Sequence, residues 1–195
     1  MTRPRPLIVM ALPGESEGLI EAAGFAVLYT GLGKVNAAHG LTKAITEAKA
    51  RGETYPYVLN LGSAGSHDFA RGALVEADRF VQRDMDVTGL GFALGATPFE
   101  AMPATLETPR RFPHLPRATC GTGDSFLQAP SPIPCGLVDM EAYAYAKVCA
   151  LDGVAFACVK YVTDGADDAS CQDWQKHVID APHAFATLLK DYCSA

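Results

Sequence analysis

Features that define several special classes of protein are scarce in this chain. No apolar run approaches a membrane span, and the run Leu7–Leu12 is too short for a secretory signal and ends at Pro13-Gly14. The 16 Lys and Arg residues are outnumbered by 22 Asp and Glu, which gives a net charge of −6 and argues against nucleic-acid binding. We therefore expect a soluble, cytoplasmic protein that binds neither membranes nor nucleic acids.

Cysteine is present, but not at the spacing of a metal site. The six cysteines include no C-x-x-C pair, and several lie within apolar periodic segments: Cys120, Cys135, Cys149, Cys158, Cys171 and Cys193. Buried, reduced thiols are typical of such segments. We expect no disulfide framework, no metal and no cofactor.

Apolar strand patterns alternate with helical ones along the chain. The hydrophobic content of 49% over 195 residues suits one folded domain that spans residues 1–195. We predict strands at 7–12, 25–29, 57–61 and 154–159, a strand pair within 74–87, a proline-rich loop at 93–118, and helices at 35–50, from Met140 onward and at 172–192. Unbroken apolar strands between helices predict an α/β fold whose mostly parallel sheet is covered by helices on both faces.

Distinctive polar and glycine-rich segments follow these strands, at the sheet edge where α/β proteins bind ligands. They are Glu15 and Glu17, Gly31–Lys34, Gly62–Gly65, Asp139–Glu141 and Thr163–Asp164. Taken singly, each has a simpler explanation, because glycines make tight turns and acidic residues suit helix starts. Their ordered recurrence along one chain favours a binding site.

Six segments of the chain, in order, resemble the motifs of a known family. They are TGLGKVNAA, NLGSAG, DMDVTGLGF, GTGDSF, VDMEAYAYA and VKYVTDGAD. They closely resemble the successive motifs of 5′-methylthioadenosine/S-adenosylhomocysteine nucleosidases, in the purine nucleoside phosphorylase superfamily, from about Leu7 to the final helix. The resemblance implies a twisted, mixed and partly closed sheet, a homodimer, and irreversible hydrolysis of the N-glycosidic bond between adenine and a 5′-thio-substituted ribose.

The resemblance also implies catalytic roles for three carboxyl groups. Asp164 matches the general acid that protonates N7 of the adenine leaving group. Glu141 matches the acid that binds the ribose hydroxyls, and it would stabilise the positive charge that develops on the sugar. Glu15 best matches the glutamate that orients the attacking water, with Glu17 as the alternative because ALPGESE differs from the family's more acidic loop.

Further residues are implied to bind the substrate. Met140 would lie against the sugar, Phe126 would stack on the purine, and Leu127 would contact the base edge through its backbone. On composition alone, Phe126 and Trp174 fit a plain core role equally well. The remaining implied contacts are Ser63, Ala64 and Gly65 at the sugar, Val87 and Leu90 near the base or thio-substituent, Trp174 closing the site, and Leu32, Asp139, Lys160 and Thr163.

The sequence departs from the family pattern at three of these positions and in one segment. Lys160 stands where the family has arginine, Asp139 replaces glutamate, and Thr163 replaces serine. Because Arg and Lys differ in hydrogen-bonding geometry, a planar bidentate contact at Lys160 is lost. The chain is also shortened around residues 92–118, which in the family help form the thio-substituent pocket.

Three alternative functions remain open from the sequence. A phosphorolytic relative would use phosphate, but no arginine lies between Leu7 and Gly33 and the first loop is acidic; Lys34, Arg71 or Arg83 could still serve an anion. A hydrolase for another nucleoside, such as aminofutalosine, is the second. The third is a non-catalytic purine-binding module, which would not need all three carboxylates.

Overall fold

The computed structural model describes residues 5–127, 131–167 and 170–194; the side chains of residues 171–172 and 193–194 lie outside that description. The described strands are β1 (Leu7–Met10), β2 (Ala26–Tyr29), β3 (Val58–Gly65), β4 (Leu74–Gln82), β5 (Thr105–Glu107), β6 (Arg117–Thr122), β7 (Leu137–Asp139) and β8 (Phe156–Asp164). The α-helices are α1 (Leu19–Ala22), α2 (Lys34–Ala50), α3 (Ala142–Asp152), α4 (Ser170–His177) and α5 (Ala181–Ser194). Short 3₁₀ turns occupy Pro13–Glu15, Thr88–Leu90 and Val178–Asp180.

The strands form a mixed sheet that closes on itself in part. β3 runs parallel to β8, β8 antiparallel to β4, β4 parallel to β6, and β6 parallel to β7. β7 returns to β3 in antiparallel register at Gly65 and Val138, so these five strands complete a ring. β1 and β2 extend the sheet in parallel from β3, and β5 pairs with β4. The predicted α/β fold with a mixed, partly closed sheet is confirmed.

The sheet has apolar clusters on both faces. Along β1, Leu7 and Val9 pack with the cluster that contains α2 and α3, while Ile8 and Met10 pack with the cluster that contains α5. Successive side chains of a strand point to opposite faces, so this division indicates that helices cover both. Every residue of β8 is buried, as expected for a strand inside such a sheet.

Several sequence predictions about the elements were wrong. The predicted strand pair at 74–87 is one strand, β4, and its partner β5 comes from the region 93–118 that was predicted to be a loop. The last predicted helix is two helices, α4 and α5, separated by the 3₁₀ turn Val178–Asp180. Pro182 lies in the first turn of α5, where its missing N–H would have no intrahelical acceptor, so it suits the start of a new helix better than the interior of a continuous one. The third helix begins at Ala142 instead of Met140.

The thiols of Cys120, Cys135, Cys149 and Cys158 are free, and all except that of Cys135 are buried. The predictions for the side chains of Cys171 and Cys193 lie outside the described residues. Within the described ranges, no helix combines the length and the apolar character needed to cross a bilayer.

Candidate active site

A cleft of about 280 Å³ opens where β1, β3, β7 and β8 end. Most of the residues proposed from the sequence line it: Glu15, Leu32, Ser63, Ala64, Gly65, Phe126, Leu127, Asp139, Met140, Glu141, Thr163, Asp164 and Trp174. Side chains from nearly the whole length of the chain therefore meet at one edge of the sheet, as expected for an α/β fold.

Glu15 lies at the end of the 3₁₀ turn after β1 and is buried. Its Oε1 accepts hydrogen bonds from the backbone N–H and the hydroxyl of Ser63, both at 2.8 Å, and Oε2 accepts from the Leu12 N–H at 3.2 Å. Glu17, the alternative, is exposed, has a left-handed φ of 46° and does not line the cleft. The geometry therefore favours Glu15 as the carboxylate that faces a bound molecule.

Glu141 occupies the N-cap position of α3 and is 6% exposed. Its Oε1 accepts a hydrogen bond of 2.9 Å from the backbone N–H of Gly33, in the turn before α2. Burial raises the pKa of Glu141 to about 7, and the negative charge of Asp139 adds to the rise while the Lys160 ammonium opposes it. This carboxyl group can therefore change its charge near neutral pH.

Asp139 and Lys160 form a buried ion pair beside Glu141. Lys160 Nζ lies 2.8 Å from Asp139 Oδ2, which also accepts from the N–H of Ala142, and Thr122 donates to Oδ1. Burial would raise the pKa of Asp139, but the Lys160 ammonium together with the hydrogen bonds from Thr122 and Ala142 lowers it below its usual value. Burial likewise opposes the charge on Lys160, yet Asp139 raises its pKa. Lys160 does not line the cleft, so the substrate contact expected of it is replaced by this pairing.

Asp164 ends β8 and is buried against two donors. Thr163 Oγ1 donates to its Oδ2 at 2.8 Å, and the backbone N–H of Ala166 donates to Oδ1 at 3.0 Å. A Cβ at Gly65 would stand 2.5 Å from that Oδ1, so the glycine is required for the carboxyl group to lie here. Ala166 has a left-handed φ of 51°, an uncommon backbone conformation for a residue other than glycine, directly beside this carboxyl group.

The segment after β6 presents an aromatic face to the cleft. Phe126 is 43% exposed and lines the cleft, which argues against the core role that composition alone allowed. Arg83 is buried and donates from Nη2 to the carbonyl oxygens of Gly123 and Ser125, and from Nη1 to the Ser125 hydroxyl. We name residues 123–127 the base loop.

A cluster of charges joins the base loop to the start of α2. The Lys34 N–H donates to Asp124 Oδ1 at 2.7 Å, and the Asp124 N–H donates to Asp84 Oδ2 at 2.9 Å. Lys34 Nζ lies 2.6 Å from Asp84 Oδ1. The turn that holds Glu141 through Gly33 is thus tied directly to the loop that carries Phe126.

Besides Lys160, two further predicted contact residues do not line the cleft. Val87 and Leu90 follow β4 and are absent from the cleft lining, and Leu90 is 75% exposed. Conversely, the sequence reasoning did not place several lining residues in the site: Ala11, Leu12, Arg83, Ser125, Val138 and Gln175. Ser125 stands inside the GTGDSF motif, a signal that could have identified it, whereas Arg83 reaches the cleft only through the register of β4 with β6.

The fold and the cleft define a class of nucleoside-cleaving enzymes. A family model described as the phosphorylase superfamily matches residues 16–194. Among solved structures, a Helicobacter pylori 5′-methylthioadenosine/S-adenosylhomocysteine nucleosidase is 22% identical with a TM-score of 0.83, covering 98% of each chain. A futalosine hydrolase of the same organism is also 22% identical, with a TM-score of 0.83 over 97% of each chain.

A relative that is more similar in sequence identifies the family within this superfamily. A 5′-methylthioadenosine/S-adenosylhomocysteine nucleosidase of Marinomonas sp. (strain MWYL1) is 32% identical over 184 residues, which are 83% of this chain and 77% of the relative. The chain belongs to this nucleosidase family, a group of N-glycosyl hydrolases within the phosphorylase superfamily.

Proposed function

We propose that this protein hydrolyses the N-glycosidic bond of 5′-methylthioadenosine, S-adenosylhomocysteine or both, and releases adenine and the thio-substituted ribose. The observation that carries the proposal is the convergence of three buried carboxyl groups, Glu15, Glu141 and Asp164, on one cleft. A binding module would not need three such groups, since burying each costs free energy. The curated relative named above supports the substrate class.

Each carboxyl group has a distinct chemical task in this proposal. Asp164 donates a proton to N7 of adenine, because adenine leaves poorly as an anion. Glu141, as a carboxylate, binds the ribose hydroxyls and stabilises the positive charge that grows on the sugar. Glu15 accepts a hydrogen bond from water and directs it at the anomeric carbon. Phe126 stacks on the base, and Met140 lies against the sugar.

Water is favoured over phosphate as the nucleophile because the cleft has few positively charged hydrogen-bond donors left to bind phosphate. Among the described lining residues, Arg83 is the only one with a positive charge; its Nη atoms donate to Gly123 and Ser125, and its Nε, which has no hydrogen-bond partner, is buried away from solvent. The Lys160 ammonium is held by Asp139. Phosphate needs several converging donors to offset its desolvation, and the carboxylate of Glu15 would repel it.

The active form is proposed to be a homodimer in the cytoplasm, in a route of methionine salvage. Large apolar side chains are exposed near the cleft entrance and along the shortened region: Leu32, Val35, Leu90 and Phe99. Solvent-exposed apolar side chains of this size suit a protein interface. Free thiols are typical of the reducing cytoplasm.

The decisive experiment incubates purified protein with 5′-methylthioadenosine, with and without millimolar phosphate, and identifies the sugar product. We expect free adenine and free thio-ribose at equal rates in both conditions. A sugar 1-phosphate formed only with phosphate would make the protein a phosphorylase. Cleavage of aminofutalosine alone would change the substrate, and binding of adenine without cleavage of any nucleoside would indicate a binding module.

A further inference from the structure

Trp174 is the only tryptophan of the chain, and its side chain makes a polar contact inside the cleft. Its indole N–H, on α4, donates to Ser63 Oγ at 3.0 Å. Ser63 Oγ in turn lies 2.8 Å from Glu15 Oε1. Three residues from distant parts of the sequence thus form one chain of hydrogen bonds that ends on the carboxylate assigned to orient water.

The direction of these hydrogen bonds follows from the groups involved. An indole N–H can only donate, so Ser63 Oγ must accept from Trp174, and the single hydroxyl proton is left to be donated to Glu15. The Ser63 backbone N–H donates to the same Oε1 at 2.8 Å. With Oε1 taken by two donors and Oε2 by only the Leu12 N–H at 3.2 Å, Oε2 keeps the free lone pair.

We propose that Trp174 is a positioning residue for Glu15: by fixing the Ser63 hydroxyl, it holds the carboxylate with Oε2 available to the attacking water. This inference rests on the proposed hydrolysis. Through Trp174, the position of α4 affects the site of the attacking water. Arg71 pairs with Asp173, the residue before Trp174, and so helps to hold α4 in place. A purely apolar role for Trp174 in closing the cleft would be served equally by phenylalanine.

The kinetic test compares Trp174→Phe, which keeps an aromatic ring but loses the N–H, with Ser63→Ala and the double variant. We expect Trp174→Phe to lower kcat roughly fivefold to tenfold, the worth of one hydrogen bond, while KM and the Kd for adenine change less than twofold. The double variant should be no worse than Ser63→Ala alone, and the exposed Lys176→Gln on the same helix should behave as wild type. An unchanged kcat in Trp174→Phe, or effects that multiply in the double variant, would overturn the inference.

A second measurement does not depend on activity. In ¹⁵N-labelled protein the single indole N–H gives one cross-peak, which should move in Ser63→Ala and in Glu15→Gln but stay in place in Glu17→Gln. A cross-peak that is unmoved in Ser63→Ala and Glu15→Gln refutes the hydrogen-bond chain. If the cross-peak moves in these two variants but the wild-type protein cleaves no nucleoside, the hydrogen bonds from Trp174 to Glu15 are upheld and the proposed hydrolysis is refuted.

Discussion

Lys160 Nζ and Asp139 Oδ2 lie 2.8 Å apart, with the two side chains only 2% and 1% exposed. Both residues were identified from the sequence as departures from the family, one an arginine position and the other a glutamate position. In the fold they are partners, so the two departures from the family pattern lie at the two ends of one ion pair. Asp139 also accepts from the Ala142 N–H and thereby caps α3 beside Glu141.

This pairing predicts a large asymmetry between single and double substitutions. Asp139→Asn keeps the hydrogen-bond acceptor for Ala142 but leaves the Lys160 ammonium buried without a charge partner, so we expect a loss of about 3–5 kcal/mol in the free energy of unfolding. Combining it with Lys160→Met removes the unpaired charge and should recover most of that loss. Urea unfolding measures both.

The exposed pair Lys49–Asp152 provides the control for this prediction. Its side chains are 48% and 27% exposed, and Asp152→Asn should cost less than about 1 kcal/mol. An Asp139→Asn variant no less stable than Asp152→Asn would show that the buried pair does not contribute in this way.

The raised pKa of Glu141 predicts how stability depends on pH. Burial first, and the charge of Asp139 second, raise this pKa from 4.5 to about 7. Between those values the folded protein keeps a proton that the unfolded chain has lost, so stability falls as pH rises through this window. Glu141→Gln cannot ionise, and at pH 8 it should be more stable than wild type by on the order of 3 kcal/mol.

Unfolding curves of Glu141→Gln and wild type at pH 4 and pH 8 make this measurement. The two proteins should differ little at pH 4, where the wild-type carboxyl group is neutral. Glu17→Gln, at an exposed glutamate, should show no gain at pH 8. A gain for Glu141→Gln that is equal at both pH values would contradict the assigned cause.

Asp164→Asn should severely slow cleavage and leave the fold intact. Asparagine keeps an oxygen for the Ala166 N–H, and its amide group can donate to Thr163 Oγ1, but it cannot deliver a proton to adenine. We expect kcat to fall by roughly 10²–10⁴-fold, the usual contribution of a general acid. Adenine release is followed by absorbance, with the exposed Asp191→Asn on α5 as the matched control. Near-normal turnover would remove Asp164 from the mechanism.

Glu15→Gln should be far more damaging than Glu17→Gln. The amide oxygen can still accept from Ser63, but the amide NH₂ then faces the donor N–H of Leu12 and offers no charge to orient water. We expect a loss of about 10²-fold or more in kcat for Glu15→Gln and less than twofold for Glu17→Gln. If Glu17→Gln lost more kcat than Glu15→Gln in the same adenine-release assay, Glu17 and not Glu15 would be the residue that orients water.

Much of this site could be predicted because it depends on local pattern. The unbroken apolar runs predicted where strands end, and therefore where the carboxyl groups lie. Gly65 belongs to one of the local motifs, and a side chain there would collide with the Asp164 carboxyl group. The closure of the sheet was expected only from the family resemblance, because the residue pattern alone does not indicate that Gly65 meets Val138 across a long stretch of chain. Arg83 was named from the sequence only as a possible anion contact, because its place in the cleft likewise depends on strand pairing. The helix predicted from Met140 begins instead at Ala142. Asp139 is the last residue of β7, and its side chain accepts a hydrogen bond from the Ala142 N–H, the first of α3.

The last prediction concerns Asp124, which joins the base loop to α2. Its Oδ1 accepts from the Lys34 N–H, which has no acceptor within the helix because Lys34 begins α2, and its own N–H donates to Asp84. Asp124→Ala removes the acceptor, so we expect the free energy of unfolding to fall by about 1 kcal/mol. The base loop, which carries Phe126, should also be fixed less firmly against α2. The KM for the nucleoside and the Kd for adenine should rise several-fold, while kcat at saturation changes little.

Asp124→Asn separates the two effects of this residue. Asparagine still caps α2 through its side-chain oxygen but loses the charge that lies 3.8 Å from Lys34 Nζ. Because Asp84 pairs with the same ammonium at 2.6 Å, the lost charge should matter less than the lost cap. Asp124→Asn should therefore keep most of the stability and most of the adenine affinity, as measured by calorimetry. Equal losses in the alanine and asparagine variants would mean that charge, and not the cap, holds the base loop against α2.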